Sequence, residues 1–142
     1  MAFNILIVDD SSSMRAVVKK VVRISGVNMG TCLEASDGRE ALKVLAENWA
    51  DVVLTDINMP NMSGLELIAE MKRDELLSSI PVVLVTSEGS EEVIQSSLKL
   101  GAKGYIKKPF QPEDIRRTLV SILGEVQDET GDFCDEDEAG DF

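Results

Sequence analysis

Three apolar runs without a polar interruption, Ile5-Leu6-Ile7-Val8, Val52-Val53-Leu54 and Val82-Val83-Leu84-Val85, each stop at polar residues: Asp9-Asp10, Thr55-Asp56 and Thr86. A strand with one wet face alternates polar and apolar side chains, so runs without alternation belong to strands covered on both faces. Covering both faces of a sheet takes helices, and the segments between the runs have helical spacing. Each strand also delivers its terminal polar residue to one edge of such a sheet. The stretch from Val53 to Gly64 shows this most clearly: Asp56 ends an apolar run, and Pro60, Ser63 and Gly64 punctuate the loop that exposes it.

Taken in order, the Ser11-Ser12-Ser13 cluster offers helix caps, and Met14, Val17, Val18 and Val21 follow as a helix face that Gly26 stops. Residues 31–35 read as a second strand. Asp37 and Glu40 have capping spacing at the start of a helix whose expected buried face is Leu42, Leu45, Ala46 and Trp49. Ser63 and Glu66 repeat that spacing ahead of Leu67, Ile68 and Met71. A helix over roughly 88–100 has a poorer stripe, Val93, Ile94 and Leu98 among serines, and Gly101 ends it. Residues 103–107 form a short fifth strand, and Pro112 suits the first turn of a last helix with Ile115, Leu119 and Ile122 facing inward. Five successive βα units predict an α/β fold, a doubly wound parallel sheet with helices on both faces.

A chain of 142 residues suffices for one domain without disulfide or metal support. Its two cysteines, Cys32 and Cys134, form no disulfide framework, which points to a reducing compartment. No leader-like or membrane-length apolar segment is seen, so a soluble cytoplasmic protein is expected. The net charge of -12 is uneven. Residues 125–142 hold nine carboxylates and no Lys or Arg, leaving -3 for residues 1–124. The expected organisation is a folded domain over 1–124 and an acidic, disordered tail over 125–142. Within the tail, Gly131-Asp132-Phe133 recurs as Gly140-Asp141-Phe142. If the tail folds back, Lys107, Lys108 and Arg116 are basic positions that could receive it. Neither part has the basic footprint of a nucleic-acid binder. The absence of His removes imidazole acid–base chemistry and His metal ligation.

A parallel sheet gathers Asp9, Asp10, Asp56, Thr86 and Lys108 at the edge formed by its strand carboxyl ends. Crowded carboxylates repel one another, and a bound cation relieves this. With oxygen ligands only, a hard cation such as Mg²⁺ fits best. A cation beside a Lys ammonium and a Thr hydroxyl suits a phosphoryl group, with a carboxylate as nucleophile.

These residues, together with Asn58-Met59-Pro60, Ser63-Gly64, Ser87-Glu88 and Gly104-Tyr105-Ile106-Lys107-Lys108-Pro109-Phe110, resemble the receiver domain of bacterial two-component response regulators over residues 3–124. Within that family the likeness is to the single-domain chemotaxis regulators of the CheY type. The resemblance implies the sheet order 2-1-3-4-5 of the flavodoxin-like arrangement, for which CheY is a standard example. It implies that Asp56 accepts phosphate from a sensor histidine kinase (CheA-like), or from small donors such as acetyl phosphate. Asp10, Asp56 and the Asn58 carbonyl would ligate Mg²⁺, with Asp9 acting through water. Lys108 would pair with the phosphoryl group and precede a cis bond to Pro109. Thr86 and Tyr105 would switch position, remodelling the surface that receives an effector such as a flagellar switch component, while Asn58 and Glu88 would tune dephosphorylation. The protein implied is a switch with only autophosphorylation and autodephosphorylation activity. It is expected to be monomeric, to bind neither nucleic acid nor membrane, and to have a possible phosphatase partner.

Two features depart from the pattern: Ile57 stands where CheY has Trp, and the acidic extension follows Gly124. Other readings also follow from the residues. A stand-alone phosphorelay intermediate or phosphate sink is the nearest. A Mg²⁺-dependent phosphatase of the haloacid-dehalogenase type would need a second Asp where Asn58 stands. A flavodoxin-like electron carrier would need a first loop that cradles phosphate, which Asp9-Asp10 would repel.

Overall fold

The computed structural model describes residues 2–87 and 89–124; Glu88 and the acidic tail lie outside them. Five strands alternate with five helices: β1 (Phe3–Val8), α1 (Ser12–Ile24), β2 (Met29–Ala35), α2 (Gly38–Glu47), β3 (Val52–Thr55), α3 (Gly64–Arg73), β4 (Val82–Thr86), α4 (Glu91–Leu100), β5 (Gly104–Lys107) and α5 (Pro112–Leu123). All pairings are parallel, and the order β2-β1-β3-β4-β5 is the expected doubly wound one.

The apolar runs are buried on both faces because side chains alternate across each strand. Leu6, Val8, Val53 and Leu84 enter one core with Leu67, Ile68 and Met71 of α3. Their neighbours Ile5, Ile7, Val52, Leu54, Val83 and Val85 enter a second core with Val18 and Val22 of α1 and Ile115 and Leu119 of α5. Full burial of one such side chain contributes about 1.5–3 kcal/mol, so the two cores fix the sheet between its helix layers.

The expected helix starts are present. Ser11 Oγ accepts from the Met14 amide at 3.1 Å, and Asp37 Oδ1 from the Glu40 amide at 2.8 Å. Ser63 and Glu66 form a reciprocal capping box, and Pro112 opens α5. Gly101 adopts a left-handed cap with φ 118°.

Three details differ from the sequence reading. The inward face of α1 is turned so that Val18 and Val22 are buried while Val17 is 46% exposed. In a run of adjacent valines the apolar pattern does not fix the helix phase; packing against α5 and β1 does. Trp49 and Ala46 are exposed rather than part of a buried face. α2 ends at Glu47, the chain turns extended at Asn48, and the Trp49 indole N–H is held at the surface by Asp51 Oδ1 at 3.1 Å. α4 begins only at Glu91, because Ser90 caps it by accepting from the Val93 amide. Its one buried residue is Ser97, whose hydroxyl donates to the Ile94 carbonyl at 2.8 Å, and Leu98 stays exposed.

Candidate functional site

Sheet register assembles the site. Val8 pairs with both Ala35 and Thr55, and Thr86 pairs with Lys107, so the ends of β1, β3, β4 and β5 meet at one edge. Past Val8, the Asp9 amide donates to the Ala35 carbonyl at 3.1 Å, and the Asp56 amide donates to the Val8 carbonyl at 3.0 Å. These bonds continue the ladder by one residue on each strand and place the two carboxylates side by side. Asp10 follows, exposed to solvent. One carboxylate oxygen from each of Asp9, Asp10 and Asp56 lies within 4.8 Å of the others.

Asp9 and Asp56 are both held by hydrogen bonds. Asp9 is 4% exposed; its Oδ1 accepts from the Ser11 amide at 2.9 Å and its Oδ2 from Lys108 Nζ at 3.2 Å. Asp56 Oδ1 accepts from the Ile57 amide at 2.7 Å, and its Oδ2 lies 3.4 Å from the same ammonium. Lys108 is positioned from behind, since its amide donates to the Thr86 carbonyl at 2.9 Å and the Lys108–Pro109 bond is cis. Thr86 is 1% exposed at the end of β4. Three carboxylates against one ammonium leave a formal charge of -2. The donor set is entirely oxygen, one edge is open at Asp10, and the residual charge matches a divalent ion. The cluster therefore fits a hard cation such as Mg²⁺.

The loop after β3 is shaped to expose Asp56. The Gly64 amide donates to the Ile57 carbonyl at 2.9 Å, closing the loop over the nucleophile candidate. A side chain at Gly64 would run into the Asp56 carbonyl oxygen. Asn58 lies exposed in this loop beside Asp56. Tyr105, on β5, is half-buried and packs against the core on the α3 side. Glu88 is outside the described residues. The structure thus gathers Asp9, Asp10 and Asp56 within 4.8 Å of one another, with Lys108 bound to Asp9 and Asp56 and its backbone tied to Thr86.

Two supports were not legible in the sequence. Arg15 Nη1 donates to the Asp9 carbonyl at 2.6 Å while its Nε pairs with Glu34 at 2.9 Å, tying α1 and β2 to the acidic turn. Asn61, at φ 66°, donates to Asp37 Oδ2 at 2.8 Å and links the Asp56 loop to the start of α2. Only the Asn, which tolerates left-handed backbone, carried a local signal. The Asn61 bond and the α2 amides hold the Asp37 carboxyl below its usual range. Glu40 is lowered by Ser36, whose hydroxyl and amide both donate to it. Burial raises the Cys32 thiol on β2, against the pull of Lys19.

Residues 5–120 match the family model of the response regulator receiver domain. The chain is 42% identical over 120 residues to chemotaxis protein CheY-3 of Vibrio cholerae, covering 84% of this chain and 91% of that protein. It is 39% identical over 123 residues to chemotaxis protein CheY1 of Helicobacter pylori, covering 85% and 97%. Among solved structures, a chain of the CheX–CheY–BeF3–Mg²⁺ complex from Borrelia burgdorferi superposes with a TM-score of 0.78 at 26% identity, covering 85% of this chain and 89% of that one. The chain belongs to the response regulator receiver family. Within it, the similarity is to the CheY-like regulators of chemotaxis.

Proposed function

We propose that this protein is a phosphorylation-driven switch in which Asp56 is the phosphoacceptor. The observation that carries the reading is the shared ammonium: Lys108 Nζ lies 3.2 Å from Asp9 and 3.4 Å from Asp56, beside an acidic cluster open at Asp10. An Asp56 carboxylate oxygen attacks the phosphorus of a phosphohistidine or acetyl phosphate, and the bond to the leaving nitrogen or oxygen breaks. Lys108 exchanges its Asp56 contact for the new phosphoryl oxygens, offsetting charge that would otherwise face three carboxylates. Asp9, Asp10, Asp56 and the Asn58 carbonyl would hold Mg²⁺, which supplies further charge neutralisation at the transferring group. The Thr86 hydroxyl donates to a phosphoryl oxygen once that group is present, and Tyr105 follows on the adjoining strand. Asn58 and Glu88 set how fast water reaches the acyl phosphate.

Output is then by binding another protein. α4 keeps Leu98 and Leu100 exposed and buries only Ser97, so it is the helix least committed to the core. Coupling between phosphate and effector is reciprocal, typically about 1–3 kcal/mol. The CheY-named relatives favour a CheA-like kinase and a flagellar switch component as partners. The Borrelia burgdorferi chain is seen in complex with CheX, and a protein of that kind is the third partner. A cytoplasmic site of action accords with these partners, and no helix among the described residues is long and apolar enough to cross a membrane.

Beryllofluoride with Mg²⁺ mimics the phosphoryl group and tests the switch. Amide resonances of α4 and β5 should move together with those of Thr86. Shifts confined to the turns around Asp9 and Asp56 would show a loaded site without a switch.

A further inference from the structure

We infer that the outer face of α1 is a docking surface for the chain's own acidic C-terminus, residues 125–142. This goes beyond the switch reading and does not depend on phosphorylation of Asp56. α1 contains Arg15, Lys19, Lys20 and Arg23 and no carboxylate. Arg15 is committed to Glu34, and Lys19, Lys20 and Arg23 form no ion pair among the described residues. The solvent-facing stripe of the helix is Ala16, Val17, Lys20, Arg23 and Ile24, at helical spacing. Val17 is 46% and Ile24 60% exposed, so the stripe pairs bare apolar side chains with cations that form no ion pair among the described residues.

The segment beyond α5 has the complementary chemistry. It carries nine carboxylates, no cation, and a Phe after each of its two Gly-Asp pairs, Phe133 and Phe142. Its origin is also close. Arg116 of α5 reaches the carbonyl of Ser25, the residue that caps α1, at 3.3 Å. α5 then runs seven residues further to Leu123, about 10 Å. From Gly124 to Phe133 the chain spans at most about 30 Å, whereas α1 with its 13 residues is about 20 Å long. The tether therefore reaches the whole stripe, at an effective concentration on the order of millimolar. Of the three cations named from sequence as receivers of the tail, Lys108 is held by Asp9 and Asp56 and Arg116 is occupied at Ser25, while Lys107 is exposed on β5 without an apolar stripe like that of Val17 and Ile24 beside it on its own strand. Phenylalanine on Ile24 or Val17, with carboxylates on Lys20 and Arg23, satisfies both halves of the surface.

Cys134 lies within the tail and provides the probe. A nitroxide is attached to Cys134 in the full chain carrying Cys32→Ala, and amide line broadening is mapped. The expected result is broadening centred on residues 19–25. It should vanish at 1 M salt, where screening acts within about 3 Å. It should also vanish in K20E/R23E, two exposed changes that leave the remaining resonances in place. Broadening limited to residues near 124, centred on Lys103 and Lys107, unaffected by charge reversal, or growing with protein concentration would overturn the inference. The last outcome would assign the contact to a second copy.

Discussion

Gly64 decides what can sit above Asp56. A Cβ there would collide with the Asp56 carbonyl oxygen, which is backbone and cannot rotate away. Gly64→Ala should therefore destabilise the fold by about 1–3 kcal/mol, read as a lower thermal midpoint. It should also reduce Asp56 phosphorylation more than the stability loss explains; an unchanged phosphorylation rate would show that the loop adjusts without moving the nucleophile. Asp37 is a second residue with a measurable consequence. Its carboxyl is lowered by the Asn61 bond and by the α2 amides, so the folded chain binds fewer protons there than the unfolded chain. The stabilisation is complete above about pH 4 and is lost as pH falls through the lowered value. Asp37→Asn keeps a capping oxygen but removes the titration. Its urea midpoint should fall less than that of the wild type between pH 6 and pH 3. Equal slopes would assign the acid sensitivity to other carboxylates.

Elements were read from sequence where one physical signal dominated. Ile5-Leu6-Ile7-Val8 admits one interpretation, because a strand covered on both faces has no polar position to fill. Ser63 with Glu66, and Pro112, marked helix starts because unpaired amides there demand acceptors or tolerate proline. α1 was harder: Val17, Val18, Val21 and Val22 supply two possible faces, and only α5 and the sheet select Val18 and Val22. The selection can be checked by truncation. Val22→Ala, at a fully buried site, should cost about 1–3 kcal/mol through lost burial and a residual cavity, whereas Val17→Ala should change stability by less than about 0.5 kcal/mol. Chemical denaturation distinguishes the two, and equal costs would mean that α1 packs in a different phase. Trp49 was misplaced for a related reason. Its spacing from Leu42, Leu45 and Ala46 sets it on the helix face, but the helix ends at Glu47 and Asp51 offers its indole a partner at the surface.

At the level of the whole molecule, the site was legible because parallel topology turns residues distant in sequence into neighbours. Asp9, Asp56 and Lys108 are separated by 47 and 52 positions, yet each follows a strand whose direction is shared. Register does the rest: Val8 beside Ala35 and Thr55, and Thr86 beside Lys107, bring the strand ends level. The supports around the site were not legible. Arg15 reaching the Asp9 carbonyl and Asn61 reaching Asp37 are tertiary contacts between loops and helices, with no periodic pattern to announce them. The same topology gathers the chemistry where the strands end, whereas α1 and α5 both lead away from that edge. The central claim, that Asp56 carries the phosphoryl group, is tested most directly by intact-protein mass spectrometry after incubation with acetyl phosphate, with and without Mg²⁺, in the wild type and in Asp56→Asn. One Mg²⁺-dependent phosphoryl adduct, absent from the variant, is the expected result. No adduct in the wild type, or an adduct that persists in the variant, would contradict the account and leave a receiver fold that acts by binding alone.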